Sequence, residues 1–467
     1  MEENKAYASS CEIKQIAIYK VKEETKAYAN LSAMAVSFQY HEDIFWPSYG
    51  ATLVLLDNGE NLISSMPIQG GEKVVIEVED VHKEVYSWTF RVHHISNRIT
   101  RDRRQTYTLC LISPEGLLNE SVCITKCLEG KSSDIVKKIC TEYLQVPSGM
   151  IAVEESMNQE HVEVNKQHPF TAIKNLLSKS FSKPRVKKKF KFGFGERDAG
   201  KLKTAGFSTV SDAITDPDFQ KSTGSAGYLF FQTSEGYHFV SFDALAEQES
   251  SGLFTYSPGK VGDNATNKIQ ELQFNQDLDM IKKLREGAYS SNVCFFNINT
   301  GKYEEYVYSL DDVWNDMVHL GASTNLPYGQ AQLANLRSPT RVMSTIIDNE
   351  SNYMGEEVAF LAQDHPYKDW QKNSFAQSIA RAGIMFNQTA TIALDGHLEL
   401  SAGDIVDIRV PNQLPDVKRD QDIWDQEQSG KYLVKNLNHQ IDTRGQTVYT
   451  VLELIRDSYG ITESKIT

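Results

Sequence analysis

A chain of 467 residues is too long for one ordinary hydrophobic core, so three or four domains are expected. Apolar content of 40% and charged content of 24% are those of a folded protein and exclude a disordered chain. The formal charge of -14 excludes a body that grips nucleic acid, the more so because residues 183 to 203 hold nine basic and two acidic residues, which leaves -21 on the remainder.

No apolar run approaches the roughly 20 residues that cross a bilayer, and the start "MEENKAYASSCEIKQ" lacks a basic and an apolar region, so neither membrane insertion nor export is expected. The six cysteines are scattered, with Cys110 and Cys140 inside apolar patterns, which points to a reducing compartment.

Along the chain, "GEKVVIEV" (71–78) alternates apolar and polar residues with period two, the pattern of a strand with one buried face. "FRVHHISNRITRDRRQTYTLCLIS" (90–113) follows as strand, polar turn and strand, an antiparallel hairpin. Residues 1–118 are read as a first small barrel. "SSDIVKKICTEYL" then places Ile135, Ile139 and Tyr143 on one helical face behind a Ser cap, and "HPFTAIKNLLSKSF" places Phe170, Ile173, Leu177 and Phe181 likewise. "YLFFQTSEGYHFVSF" is a hairpin around a "TSEG" turn. Residues 119–249 therefore form a mixed α+β domain, interrupted by an insertion at 183–227 rich in Lys, Gly, Ser and Asp.

A second barrel is expected from 250–320 and 388–459, with 321–387 inserted into it and 460–467 as a tail. "SSNVCFFNINTGKYEEYVYSL" is assigned to that barrel as strands, and "DWQKNSFAQSIARAGIMF" to the insertion as a helix with Trp370, Phe375, Ile379, Ala382 and Phe386 at helical spacing. The barrel closes on "GDIVDIRV" (403–410) and "YLVKNLNHQIDTRGQTVYTVLELI" (432–455), which repeat the order found near residue 90. Val74, Ile76 and Val78 align with Val406, Ile408 and Val410. Phe90 and Val92 align with Tyr432 and Val434, Ile95 with Leu437, Ile99 with Ile441, and Tyr107-Thr108 with Tyr449-Thr450. Only four of the 24 hairpin positions are identical, so the order of the strands carries the repeat. The later copy has ten extra residues in one surface loop, within "PNQLPDVKRDQDIWDQEQSG".

No catalytic constellation emerges. "GERDAGKL" (195–202) resembles a phosphate loop, but Leu202 stands where a hydroxyl must bind magnesium, and a solvated basic loop is the plainer reading. "CITKC" (123–127) could be half a zinc site, yet no second Cys or His pair stands nearby at ligand spacing, so no metal is expected. His93 and His94 should point to opposite faces of a strand and cannot chelate one ion together; His439 falls opposite Asn97. Ser225 lacks a nucleophile elbow, and the acidic pairs Glu154-Glu155 and Asp277 with Asp279 lack a concave setting. Neither enzymatic activity nor a cofactor is expected.

"PIQGGEKVVIEV", "WTFRVHHISN…QTYTLCLISPE", "HPFTAIKNLL" leading into "GYLFFQTSEGYHFVSFDAL", and "GDIVDIRVPN…SGKYLVKNLNHQIDTRGQTVYTVLELIRD", in this order, resemble the central baseplate hub protein of contractile-tailed bacteriophages, the myovirus tail hub. The resemblance is weakest over 183–227 and 321–385. It implies a mainly β chain with α+β parts, carrying two similar tube-forming antiparallel β-barrels, a mixed α/β domain and an inserted segment, and assembling as a homotrimeric torus of six related modules. It further implies a structural role in the virion tail after folding in the bacterial cytoplasm. The hub would join a sixfold tail tube protein and other baseplate proteins to a threefold tail spike protein, and DNA would pass through its bore without specific binding. The basic run is a departure from the familiar pattern, and Lys183, Arg185, Lys187, Lys188, Lys189 and Lys191 form a candidate partner-contact patch. The rival readings are a tail-associated carbohydrate-binding module and a peptidoglycan hydrolase.

Overall fold

The computed structural model describes residues 9–58, 67–102, 104–157, 159–182, 225–256, 267–275, 279–297, 301–314, 317–321, 342–347, 370–412 and 424–461. The chain is mainly β, and among the described residues no helix is long and apolar enough to cross a membrane.

The first unit contains β1 (Glu12–Tyr19), β2 (Ala29–Asn30), β3 (Ala35–Asp43), β4 (Gly50–Asp57), β5 (Lys73–Glu79), β6 (Val85–Arg101) and β7 (Arg104–Ile112). Val74, Ile76 and Val78 of β5 are fully buried between partly exposed neighbours, as their alternation requires. Helix α1 (Pro114–Ser121) follows directly. The Ser113 hydroxyl caps it by accepting the Gly116 N–H, and Pro114 occupies the first turn, where its missing N–H costs nothing.

The mixed region runs through β8 (Ile124–Lys131), α2 (Ser132–Glu142), β9 (Ile151–Val153), β10 (Gln159–Gln167), α3 (Pro169–Leu177), β11 (Tyr228–Thr233), β12 (Gly236–Ser241) and α4 (Phe242–Ala246). Ile135, Val136, Ile139 and Cys140 of α2 and Ala172, Ile173 and Leu176 of α3 pack on Tyr228, Phe230 and Phe239 of the hairpin. The expected Ser cap of α2 is not there. Lys131 occupies the cap position, Ser132 and Ser133 lie inside the helix, and the Ser133 N–H is satisfied by the Ser156 hydroxyl of another segment. A tertiary contact has replaced the local one. Strands β11 and β12 are buried on both faces, because Leu229, Phe231 and Val240 turn away from that core into a second one with Ile405, Leu433 and Ile455.

The last unit contains β13 (Ser250–Tyr256) and β14 (Lys268–Asn275), then an insertion of α5 (Met280–Glu286), β15 (Ser290–Asn297), β16 (Lys302–Ser309), α6 (Leu310–Val313), β17 (Val342–Ile347) and α7 (Trp370–Ile384). It resumes with β18 (Gln388–Asp395), β19 (Ile405–Arg409), β20 (Gly430–Asp442) and β21 (Thr447–Arg456). Strands β15 and β16 do not join the barrel, contrary to the expected span of 250–320. They pair with β17 in a separate three-stranded sheet, so the insertion begins after Asn275. Their alternation announces a strand but not its partner. In α7 the buried face is Ala376, Ala380 and Ile384 packed on Ala288, Tyr289 and Tyr308, whereas Ala382 and Phe386 of the expected stripe are exposed. Alanines supply most of that face, and Phe375 and Ile379 pack against it only partly buried.

Thirteen strands form one sheet in the order β19-β13-β14-β18-β21-β20-β3-β4-β7-β6-β5-β1-β2, and β19 also pairs with β20. The first six strands of that order therefore close into a barrel. The two units repeat each other. Taken in chain order, β1, β3, β4, β5, β6 and β7 correspond to β13, β14, β18, β19, β20 and β21, and every neighbour relation of the first set recurs in the second. One apolar core runs through both, from Phe38, Phe90 and Leu109 to Ile392, Tyr432 and Leu452.

Candidate functional site: the seam between the two β units

The two units meet through strand pairing. Strand β20 runs antiparallel to β3 over seven residue pairs, from Asn436 opposite Asp43 to Asp442 opposite Ser37. Each unit thereby covers an edge of the other that would otherwise expose a row of unpaired backbone groups.

On the core side of the seam, His439 lies opposite Tyr40 and stacks on it with ring centroids 5.9 Å apart and planes 12° apart. His439 is buried, its Nδ1 lies 2.8 Å from the Thr450 hydroxyl, and burial pushes its imidazole down to about 4 although Glu399 pulls it up. Next to it, Glu42 is 1% exposed and ties three regions together. Its carboxylate accepts from the Tyr40 hydroxyl, from the Ser234 N–H at 2.7 Å in the β11–β12 turn, and from the Ala402 N–H at 2.8 Å ahead of β19. Burial pushes the Glu42 carboxyl up to about 7, against the pull of those three donors.

A second buried polar cluster ties the insertion to the closed barrel. Arg381 of α7, fully buried, donates to Asp457 at 3.0 Å and to Asp243 of α4, and stacks on Phe242. Asp457 also accepts from the Leu320 N–H at 3.1 Å and contacts His319 Nδ1 at 2.7 Å. Burial opposes its ionisation, yet the His319 contact and the Arg381 charge hold its carboxyl well below the usual carboxylate range. Removing one member would strand the others in a dry interior.

The opposite side of the sheet is not covered by this core. Directly opposed residues share a face, so the register defines rows across the seam. One row passes through Cys110, Thr52, Gln39, Gln440 and Tyr449, with His94 at one end and Asp395 at the other. A second passes through Ser96, Thr108, Val54, Ser37, Asp442 and Thr447. None of these residues is buried except in part, and neither row contains a lysine or arginine.

The candidate residues named from sequence are placed unevenly. Lys183, Arg185, Lys187, Lys188, Lys189 and Lys191, together with "GERDAGKL" and Asp277, lie outside the described residues. The acidic pair at 154–155 serves the fold: Glu154 accepts the Ser241 N–H at 2.6 Å, and Glu155 pairs with Lys131 at 2.6 Å. The histidine pair departs from the expected alternation. A bulge between Val92 and His94 leaves both rings exposed, 6.5 Å apart. The seam residues Glu42 and His439 carried no motif; only the register of β3 against β20 makes them neighbours.

No protein-family model matches the sequence, and no curated protein matches it. Solved structures similar over nearly the whole chain include three tail proteins. The prophage MuSo2 43 kDa tail protein from Shewanella oneidensis aligns with a TM-score of 0.49 at 8% identity, covering 95% of this chain and 99% of that one. The prophage tail protein gp18 from Listeria monocytogenes EGD-e gives 0.45 at 8% identity, covering 97% and 96%. The tail protein from Neisseria meningitidis MC58 gives 0.51 at 10% identity, covering 97% of each chain, and this chain shares its fold.

Proposed function

We propose that this chain is the structural hub of a phage tail baseplate. Three copies form a ring that adapts a sixfold tail tube to a threefold spike and serves as part of the conduit for genome ejection. One observation carries the reading: two units of identical strand order are fused edge to edge into a single sheet. A threefold assembly matches a sixfold neighbour if each subunit supplies the ring-building unit twice. The fold shared with the Neisseria meningitidis tail protein supports a place in the tail.

The uncovered face of the sheet then lines the bore. A wall studded with lysine and arginine would bind each passing phosphate over a screening length of about 8 Å at physiological salt. The polar rows across the seam offer DNA no such grip. The role is structural rather than catalytic: Glu42, a carboxyl raised by burial, has its oxygens committed to Tyr40, Ser234 and Ala402. The basic run at Lys183 to Lys191 fits a contact with a neighbouring baseplate or spike protein, and its deletion should impair assembly.

Mass in solution tests the proposal. Three 52.7 kDa chains give about 158 kDa, with or without the spike present, whereas a protein that stays monomeric even with spike and tube components would sink the reading. Thr52→Lys combined with Gln440→Lys should leave assembly intact and slow DNA ejection. Unchanged ejection would remove the bore assignment.

A further inference from the structure

The β8–β10 ribbon, far in sequence from the seam strands, carries three side chains of different chemistry on one exposed face. Antiparallel pairing sets His161 opposite Glu129 and Glu163 opposite Cys127, so Cys127 and Glu129 share a face with His161 beside them. Cys127 Sγ lies 3.1 Å from His161 Nε2 and 3.9 Å from Nδ1, and Nδ1 lies 2.9 Å from Glu129 Oε1. One donor atom from each residue fits within 4.8 Å of the other two. The side chains of His161 and Glu129 are 58% and 71% exposed, so an ion can reach both from solvent.

A thiol, an imidazole and a carboxylate form a donor set suited to zinc and related ions, where calcium or magnesium would call for oxygen alone. Tetrahedral bonds of about 2.3 Å to sulfur and about 2.0 Å to nitrogen place those two atoms about 3.5 Å apart, so a small opening of the 3.1 Å Cys127 Sγ–His161 Nε2 contact would admit the ion. Cys123 does not belong to the group. It lies near His168, whose Nδ1 is 2.9 and 3.0 Å from the Asn119 and Val122 carbonyl oxygens. "CITKC" has no partner at local ligand spacing because its partner lies 34 residues beyond Cys127 and is delivered by strand register.

We propose that Cys127, His161 and Glu129 form a surface site for a divalent transition-metal ion of the zinc class. On binding, the Cys127 S–H gives its proton to solvent and the thiolate takes the metal. The fourth position is open to water or to a ligand from a neighbouring protein.

Cobalt(II) titration of the full-length protein tests this. One equivalent should produce the visible bands of a tetrahedral ion and a thiolate-to-cobalt charge-transfer band, both erased by zinc. Cys127→Ser should abolish the charge-transfer band. His161→Ala should weaken binding at least ~10-fold, and Cys123→Ser should change nothing. Far-ultraviolet circular dichroism checks that the variants fold, and X-ray absorption of the zinc-loaded wild type should show one sulfur at about 2.3 Å independently of any variant. Absence of the charge-transfer band overturns the proposal, as does its persistence in Cys127→Ser. So does a Cys127 that alkylates rapidly while cobalt fails to bind, because the trio would then be a reactive thiol and not a metal site.

Discussion

The first and last β units share strand order but not closure. In the last, β13 completes the circle by pairing parallel with both β14 and β19, whereas in the first β1 runs antiparallel to β5, and no strand pairing joins it to β3 among the described residues. The short β2 and the turn through Leu31 fill that interval, with the Leu31 N–H donating to Ile16 O at 2.7 Å. The insertion also sits in the last unit alone, between β14 and β18, where the first unit has only a short connection between β3 and β4. What both units preserve is the run of strands that faces the seam.

The hairpins differ in register too, and this yields the largest expected effect. Strand β6 carries two bulges, at Val92/His94 and Ser96/Ile99, while β20 carries one, at Val434/Asn436. Val92 faces Leu111 and Val434 faces Leu454, so Leu111 corresponds to Leu454 and not to Glu453 as in the gapless alignment. Tyr107 is consequently buried and Tyr449 is 46% exposed. Tyr107→Ala should cost about 3–5 kcal/mol, as large aromatic truncations in cores do, and Tyr449→Ala less than about 0.5. Equal losses in denaturant unfolding would restore the gapless alignment.

The seam titrates, and its two buried groups act with opposite sign. The folded His439 binds a proton more weakly than the unfolded chain, so its contribution is present above pH 6.5 and is lost as pH falls through about 4. His439→Gln should flatten that window by on the order of 3 kcal/mol relative to wild type in pH-dependent unfolding. An unchanged slope would mean that the imidazole is not sealed between the units. Glu42, raised to about 7, binds its proton more tightly in the folded state, so its stabilising effect is greatest below pH 4.5 and fades as pH rises to 7. Glu42→Gln sets an amide against backbone donors and should cost about 1–2 kcal/mol at pH 5 and less at pH 8. A larger loss at pH 8 would show that the carboxylate is better solvated than its burial implies.

Much of the fold was legible because periodicity is a local property. The alternation in β5, and the helical faces of α2 and α3, followed from residues a few positions apart. The repeat was visible in strand order even where identity misled: the shared Tyr-Thr pair of the hairpins occupies different faces, and Ile99 is 54% exposed where Ile441 is buried. The site was much less legible. Glu42 and Ala402 are 360 residues apart, and Cys127 and His161 become neighbours only through the β8–β10 register.

The sequence by itself determined that this chain alternates its apolar residues to build two like sets of strands around a mixed domain, because a half-buried strand needs that alternation wherever it lies. Tertiary structure alone decided that β15 and β16 leave the barrel, that bulges shift one hairpin against the other, and that β3 pairs with β20. Strand partners are chosen by backbone hydrogen bonds that every residue can make, so the choice rests on the whole fold and leaves little trace in either strand.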